Sequence, residues 1–91
     1  MSWSLTDYVN NLAEFLGRDE LRSAPIDVDV VSHVGLDSLD FAQMLLAIEV
    51  LLPGTEVDLE PPVSIENLFA LHCDLVEAGG DESRLELLIG D

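Results

Sequence analysis

The chain has 91 residues, of which 48% are hydrophobic and 5% aromatic, and its 19 acidic residues against three basic ones give a formal net charge of −16. A chain of this length forms one small domain, which argues against a large catalytic cleft. The negative charge repels phosphate backbones and anionic lipid headgroups, which argues against nucleic acid and membrane partners. Two interpretations of the acidic surface stay open: it only promotes solubility, or it docks on basic patches of partner enzymes.

The sequence predicts neither insertion into a membrane nor export. The apolar stretch 41–52 is shorter than the roughly 20 residues that cross a bilayer, and the first residues lack the basic cluster and apolar core of a secretory signal. The single cysteine, Cys73, cannot form an internal disulfide, which is compatible with a reducing compartment. We therefore expect a cytoplasmic protein. The absence of long flanking linkers favours a free-standing chain, and the charge favours a monomer.

The first predicted helix runs from Leu5 to Leu16, where apolar residues recur at helical spacing on one face. Ser4 is the expected N-cap. Asp7 lies three residues later, where a carboxylate favours the positive end of the helix and completes a capping box. Gly17 marks the end of the helix.

A long connection follows, from 17 to 35, in which the helical period is lost. Pro25 and the alternating Ile26, Val28 and Val30 suggest a short strand. We prefer an extended loop, because no second alternating run offers a partner and an unpaired strand leaves backbone groups unsatisfied. The apolar side chains of this loop are then expected to cover the ends of a helical bundle.

The second predicted helix begins at Ser38 and runs to Leu52, where Pro53-Gly54 ends it. We expect its core-facing residues to be Leu39, Ala42, Leu45, Leu46 and Leu52. We expect Asp40, Gln43 and Glu49 nearer solvent, and Phe41 and Met44 at the boundary.

The third predicted helix begins after an N-cap at Ser64 and runs from Ile65 to Ala78, ended by Gly79-Gly80. The segment 54–63 contains Pro61-Pro62 and holds at most a turn or two of helix. The tail 81–91 is expected to form a short helix or to be mobile. The sequence therefore predicts an all-α fold, a bundle of three to four helices in a domain spanning 1–80, with a long loop between the first and second helices.

The run Gly35-Leu36-Asp37-Ser38-Leu39 opens the second predicted helix, and Ser-Ile-Glu-Asn-Leu opens the third. Together with the long first loop, this order resembles the acyl carrier proteins over residues 4 to 78. The resemblance implies that Ser38 carries 4'-phosphopantetheine from coenzyme A through a phosphodiester bond. It also implies that Asp37 presents the serine and that Leu39 anchors the helix start against the core.

The resemblance implies a carrier and not an enzyme, one that holds acyl groups as thioesters. Its partners would be a phosphopantetheinyl transferase, an acyl-loading ligase or acyltransferase, and a ketosynthase or other acyl-processing enzyme. In the family, acidic and apolar side chains of the second helix bind these partners, and the matching residues here are Asp40, Met44 and Glu49. No metal site is expected, because His72 and Cys73 are neighbours on a helix and point in different directions.

The sequence departs from carriers of fatty acid synthesis in the second helix. Gln43 stands where an acid is common, and Val50 follows Glu49 where such carriers show an acidic run. These departures favour a specialised, polyketide-like pathway. Two alternatives stay open: an aminoacyl (peptidyl) carrier, and an unmodified acidic helical module that binds a basic partner.

Overall fold

The structure is a computed structural model and describes residues 3–89. Within that range it contains no β-strand, and the prediction of an all-α helical bundle is confirmed. Two short elements, a 3-10 helix and a π-helical turn, lie in the connection between the first two α-helices. In chain order the elements are α1 (Leu5–Leu16), the 3-10 helix Asp19–Ser23, the π-helical turn Val31–Gly35, α2 (Ser38–Glu49), α3 (Ile65–Glu77) and α4 (Glu82–Ile89).

Local signals set both ends of α1 where they were predicted. The Ser4 hydroxyl accepts a hydrogen bond from the Asp7 backbone amide at 3.1 Å, and the Asp7 carboxylate accepts one from the Ser4 amide at 3.1 Å. This is the predicted capping box. Gly17 ends the helix with φ 71°, a left-handed conformation in which a residue with a Cβ atom is strained.

One core joins all four α-helices. Tyr8 and Leu12 of α1, Ile48 of α2, Leu68 of α3 and Leu85 of α4 are almost completely buried. Burial of an aliphatic side chain of this size stabilises a fold by about 1.5–3 kcal/mol. Because α4 contributes Leu85 to this core, the predicted tail is helical over its described part and packs on the bundle. Residues 90 and 91 lie outside the described residues, and the predicted division at residue 80 stays a prediction.

The buried face of α2 differs from the predicted one. Asp40, Met44, Ala47 and Ile48 are buried, while Leu39, Ala42 and Leu46 of the predicted core stripe are exposed. The prediction was wrong because α2 carries apolar residues on every side, so hydrophobic periodicity does not select one face. The helix also ends at Glu49, before the predicted Leu52.

The connection between α1 and α2 is hydrogen-bonded to residues 63–66, at the start of α3. The Val30 amide donates to the Val63 carbonyl at 2.8 Å, the Val63 amide donates to Asp29 Oδ1 at 2.8 Å, and the Glu66 amide donates to the Ile26 carbonyl at 3.0 Å. The connection forms no strand, as predicted, but it is not extended throughout, because the 3-10 helix Asp19–Ser23 and the π-helical turn Val31–Gly35 lie within it. Val30 is fully buried, which agrees with the expected role of its side chain in covering the bundle.

Candidate functional site

Asp37 caps the N-terminus of α2. Asp37 Oδ1 accepts a hydrogen bond from the Asp40 amide at 2.9 Å, and Asp40 Oδ2 accepts one from the Asp37 amide at 3.3 Å. These two bonds form a capping box in which both capping side chains are acids. The cap position therefore belongs to Asp37, and Ser38 is the first residue of the helix.

Ser38 is exposed to solvent in the first turn of α2. The amides of a first turn have no carbonyl partner within the helix, and the helix dipole places partial positive charge there. A phosphodiester on the Ser38 hydroxyl would meet both features, so the residues present fit the attachment of such a group. Because Asp37 makes the capping bond, the Ser38 hydroxyl is not needed for it.

Leu36, and not Leu39, anchors the segment that leads into α2. Leu36 is 8% exposed and its amide donates to the Val31 carbonyl at 3.0 Å, whereas Leu39 is 66% exposed. The expected role of Leu39 as an anchor against the core is therefore wrong. Gly35 precedes Leu36 with φ 79°, which lets the chain turn from the π-helical turn into the cap of α2.

An ion pair joins Arg18, which follows the end of α1, to Asp40 of α2, one position beyond the motif, and sequence reasoning missed it. Arg18 donates from Nη2 to Asp40 Oδ2 at 2.6 Å and from Nε to the same oxygen at 3.1 Å. These bonds lower the pKa of Asp40 and raise the pKa of Arg18. The Asp40 side chain is 9% exposed and that of Arg18 is 32% exposed. No spacing rule joins residues 22 positions apart, so the sequence carried no signal for this pair.

The three residues that the resemblance assigned to partner binding differ in their exposure and in their hydrogen bonds. Met44 lies in the core and is 0% exposed, so its side chain is not available to a partner. The carboxylate of Asp40 is occupied by Arg18, which corrects its expected place nearer solvent. Glu49 is half-buried, and its Oε2 accepts a hydrogen bond from the Val57 amide at 3.3 Å.

The exposed apolar face of α2 (Leu39, Ala42 and Leu46) follows directly on Ser38. Leu39 and Leu46 are seven residues apart and therefore lie on the same side of the helix. Leu46 is 47% exposed. Neither of these leucines was predicted to face solvent. Because α2 carries apolar residues on every side, its sequence does not show which of them are exposed.

A second polar cluster joins α3, α4 and the start of the chain. His72 Nε2 lies 2.6 Å from Glu82 Oε2, and the Trp3 amide donates to the same oxygen at 3.0 Å. The Trp3 ring stacks on the His72 ring with centroids 5.3 Å apart, and the Tyr8 ring packs at 4.8 Å. His72 is 1% exposed and therefore lies in the core.

Two buried polar atoms of this cluster lack a hydrogen bond among the described residues, and the nearby thiol is not activated. The Tyr8 hydroxyl and His72 Nδ1 are buried without a hydrogen-bond partner among the described residues. Burial raises the pKa of Tyr8, and burial together with neighbouring carboxylates raises the pKa of Cys73, so the Cys73 thiol is not an activated nucleophile. Across residues 3–89 no group of three or more histidine, cysteine and acidic side chains is arranged to hold a metal ion.

A comparison of the chain with known protein families, with curated proteins and with solved structures finds no match. None of the helices among residues 3–89 has the length and apolar character needed to cross a membrane. The site at the start of α2 is therefore interpreted from its own residues and from the resemblance of its motif.

Proposed function

We propose that this protein is an acyl carrier protein that holds acyl groups as thioesters on a 4'-phosphopantetheine arm attached to Ser38. One observation carries the proposal: an exposed serine hydroxyl occupies the first turn of α2 while the neighbouring Asp37 supplies the helix cap. A serine that only capped the helix would stand one position earlier and would use its hydroxyl for the capping bond. The match of Gly35-Leu36-Asp37-Ser38-Leu39 to the family motif supports the same function.

In the attachment reaction, the oxygen of the Ser38 hydroxyl attacks the phosphorus of coenzyme A that bears the pantetheine. A new bond forms between Ser38 Oγ and phosphorus, and the bond from that phosphorus to adenosine 3',5'-bisphosphate breaks. The hydroxyl proton passes to a base of the transferase, and the bisphosphate leaves with the electron pair. When attached, the arm supplies a thiol that carries the acyl group and brings it to partner enzymes at high effective concentration.

The partners proposed are a phosphopantetheinyl transferase, an acyl-loading ligase or acyltransferase, and an acyl-processing enzyme such as a ketosynthase. Each of these must approach Ser38, so each would also meet the exposed apolar face of α2. Leu39 and Leu46 together expose apolar surface beside the attachment point. Exposed apolar area of this kind marks a surface that another protein can cover.

The test of the proposal is the intact mass of the protein after incubation with coenzyme A and a broad-specificity phosphopantetheinyl transferase. We expect the wild type to gain one phosphopantetheine group and Ser38→Ala to gain none. Peptide mapping provides an internal control, because Ser4 and Ser64 also stand at helix starts and should stay unmodified. A folded wild type that gains no mass overturns the proposal and favours the unmodified interaction module.

We further propose a specialised, polyketide-like pathway and not primary fatty acid synthesis. The support is Gln43 in place of an acid and the capture of Asp40 and Glu49 by intramolecular bonds. Efficient elongation of the loaded protein by fatty acid synthase enzymes would contradict this assignment. Loading by an amino acid-activating enzyme, and not by an acyl-loading one, would instead identify an aminoacyl carrier.

A further inference from the structure

Residues 55–60, which lie between α2 and α3, form an extended segment that has no partner strand within residues 3–89. They contain no helix, turn or bend, and half-buried and exposed side chains alternate along them. Alternation with a period of two is the pattern of a β-strand, in which successive side chains point to opposite faces. We propose that this segment is a docking edge to which a partner protein adds an extended basic strand. The inference does not depend on the proposed function.

One edge of the segment has free backbone groups. The Val57 amide donates to Glu49 Oε2 at 3.3 Å, so Val57 turns its backbone groups toward α2. In an extended chain the residues on either side turn theirs to the opposite edge. There the amides and carbonyls of Glu56, Asp58 and Glu60 form no hydrogen bond with any group of residues 3–89. Three residues of one edge thus present donors and acceptors to a strand that binds beside them.

The side chains of the docking edge select the charge of the partner. Glu56, Asp58 and Glu60 are exposed, and the whole chain has a formal net charge of −16. Like charges directly opposite one another destabilise a pair of strands, whereas opposite charges stabilise it. A second copy of this chain would place acids opposite acids, so these side chains protect the edge from self-association. A strand with basic residues at alternate positions has the complementary charge.

A cavity beside the docking edge offers room for one of those basic side chains. It has a volume of about 410 Å³ and is lined by Glu49, Glu56, Val57 and Asp58. Carboxylates line most of it, and Val57 supplies an apolar wall on which the methylene groups of a lysine or arginine can pack. When a partner binds by strand addition, backbone hydrogen bonds supply affinity and pockets for alternate side chains supply specificity.

The docking edge lies at the end of α2 that is farther from Ser38. Glu49, which binds the Val57 amide, is the last residue of α2. At a rise of about 1.5 Å per residue, it stands about 16 Å along the helix from Ser38. A partner strand at the docking edge therefore leaves the Ser38 hydroxyl open, and strand addition is compatible with reactions at that serine.

The probe for this surface is a short fluorescent peptide of alternating lysine and valine, titrated with the protein at physiological salt. Ions at that concentration screen attraction between exposed charges more than about 8 Å apart, so the field of distant acids contributes little. We expect Glu56→Gln/Asp58→Asn/Glu60→Gln to raise the Kd by about tenfold, because the triple variant removes the charges that pair across the strands.

Two controls separate strand addition from attraction by net charge. Glu66→Gln/Asp74→Asn/Glu77→Gln removes the same number of exposed acids from α3 and should change the Kd by less than about twofold. A peptide that is N-methylated at every backbone amide keeps its charges but donates no backbone hydrogen bonds, and it should bind at least about tenfold more weakly. Hydrogen exchange locates the site, because the amides at positions 56, 58 and 60 should gain protection when the unmethylated peptide binds.

Four results would overturn the inference, and none of them depends on modification of Ser38. The first is a folded wild type that does not bind the unmethylated peptide. The second is equal binding of the two peptides, because it shows attraction by charge without strand pairing. The third is an equal loss of affinity in both triple variants, which assigns binding to net charge. The fourth is protection of the docking edge that increases with protein concentration in the absence of peptide, because it assigns the edge to a second copy of the chain.

Discussion

Replacement of Glu82 by alanine should strongly destabilise the bundle, although Glu82 lies outside the predicted functional motif. Glu82 Oε2 is the acceptor for two groups, His72 Nε2 at 2.6 Å and the Trp3 amide at 3.0 Å. Glu82→Ala removes both bonds. It leaves His72, 1% exposed, with neither ring nitrogen bonded among the described residues, because Nδ1 already lacks a partner.

The size of the effect follows from these contacts. A buried polar group left unsatisfied costs about 1–3 kcal/mol, and here one buried ring nitrogen and one half-buried amide lose their acceptor together. We therefore expect the free energy of unfolding to fall by about 3 kcal/mol, out of roughly 5–15 kcal/mol for a domain of this size. The corresponding fall in melting temperature is about 15 °C, since 1 kcal/mol shifts Tm by roughly 4–8 °C in small domains.

The assay is urea unfolding followed by circular dichroism and by the fluorescence of the single tryptophan, Trp3. Because the Trp3 ring stacks on His72, its fluorescence reports on the region where α3 and α4 meet. Glu86→Ala is the matched control: it removes the same charge from the same helix at an exposed position. If Glu82→Ala and Glu86→Ala differ by less than about 0.5 kcal/mol, the buried pair does not hold α4 in place and the reasoning is refuted.

Two further predictions concern α2 and its cap. Met44→Ala should lower the free energy of unfolding by about 2–5 kcal/mol because it opens a cavity in the core, whereas Leu46→Ala on the exposed face should change it by less than about 0.5 kcal/mol; comparable urea midpoints for both would contradict the assigned buried face. Hydrogen bonds lower the folded pKa of Asp29 and Asp40, so the stability that these carboxylates contribute is complete above about pH 4 and is lost as the pH falls through their folded pKa values. Asp40→Asn should therefore lose less stability than the wild type between about pH 6 and pH 3, as measured by urea unfolding at each pH; equal losses would show that Asp40 does not contribute to acid unfolding.

Sequence reasoning succeeded where the determining interactions are local. The bounds of α1, the reciprocal bonds of Ser4 and Asp7, and the cap of α3 at Ser64 were predicted from neighbouring residues. The start of α2 at Ser38 was predicted in the same way. Each of these features depends on side chains within three or four positions of the backbone groups that they satisfy, so a single sequence contains the information.

The sequence alone determined a small all-α bundle, the position of its main helices, and a serine at the start of α2 in a motif that resembles an attachment site. Only the tertiary structure decided which face of α2 is buried, since that helix is apolar all round and periodicity does not distinguish Met44 from Leu46. It also decided that Arg18 pairs with Asp40 and that His72 pairs with Glu82. Such pairs form only where the packing of helices brings the two side chains together. The burial of many side chains sets that packing, and the spacing of two charged residues along the chain does not determine it.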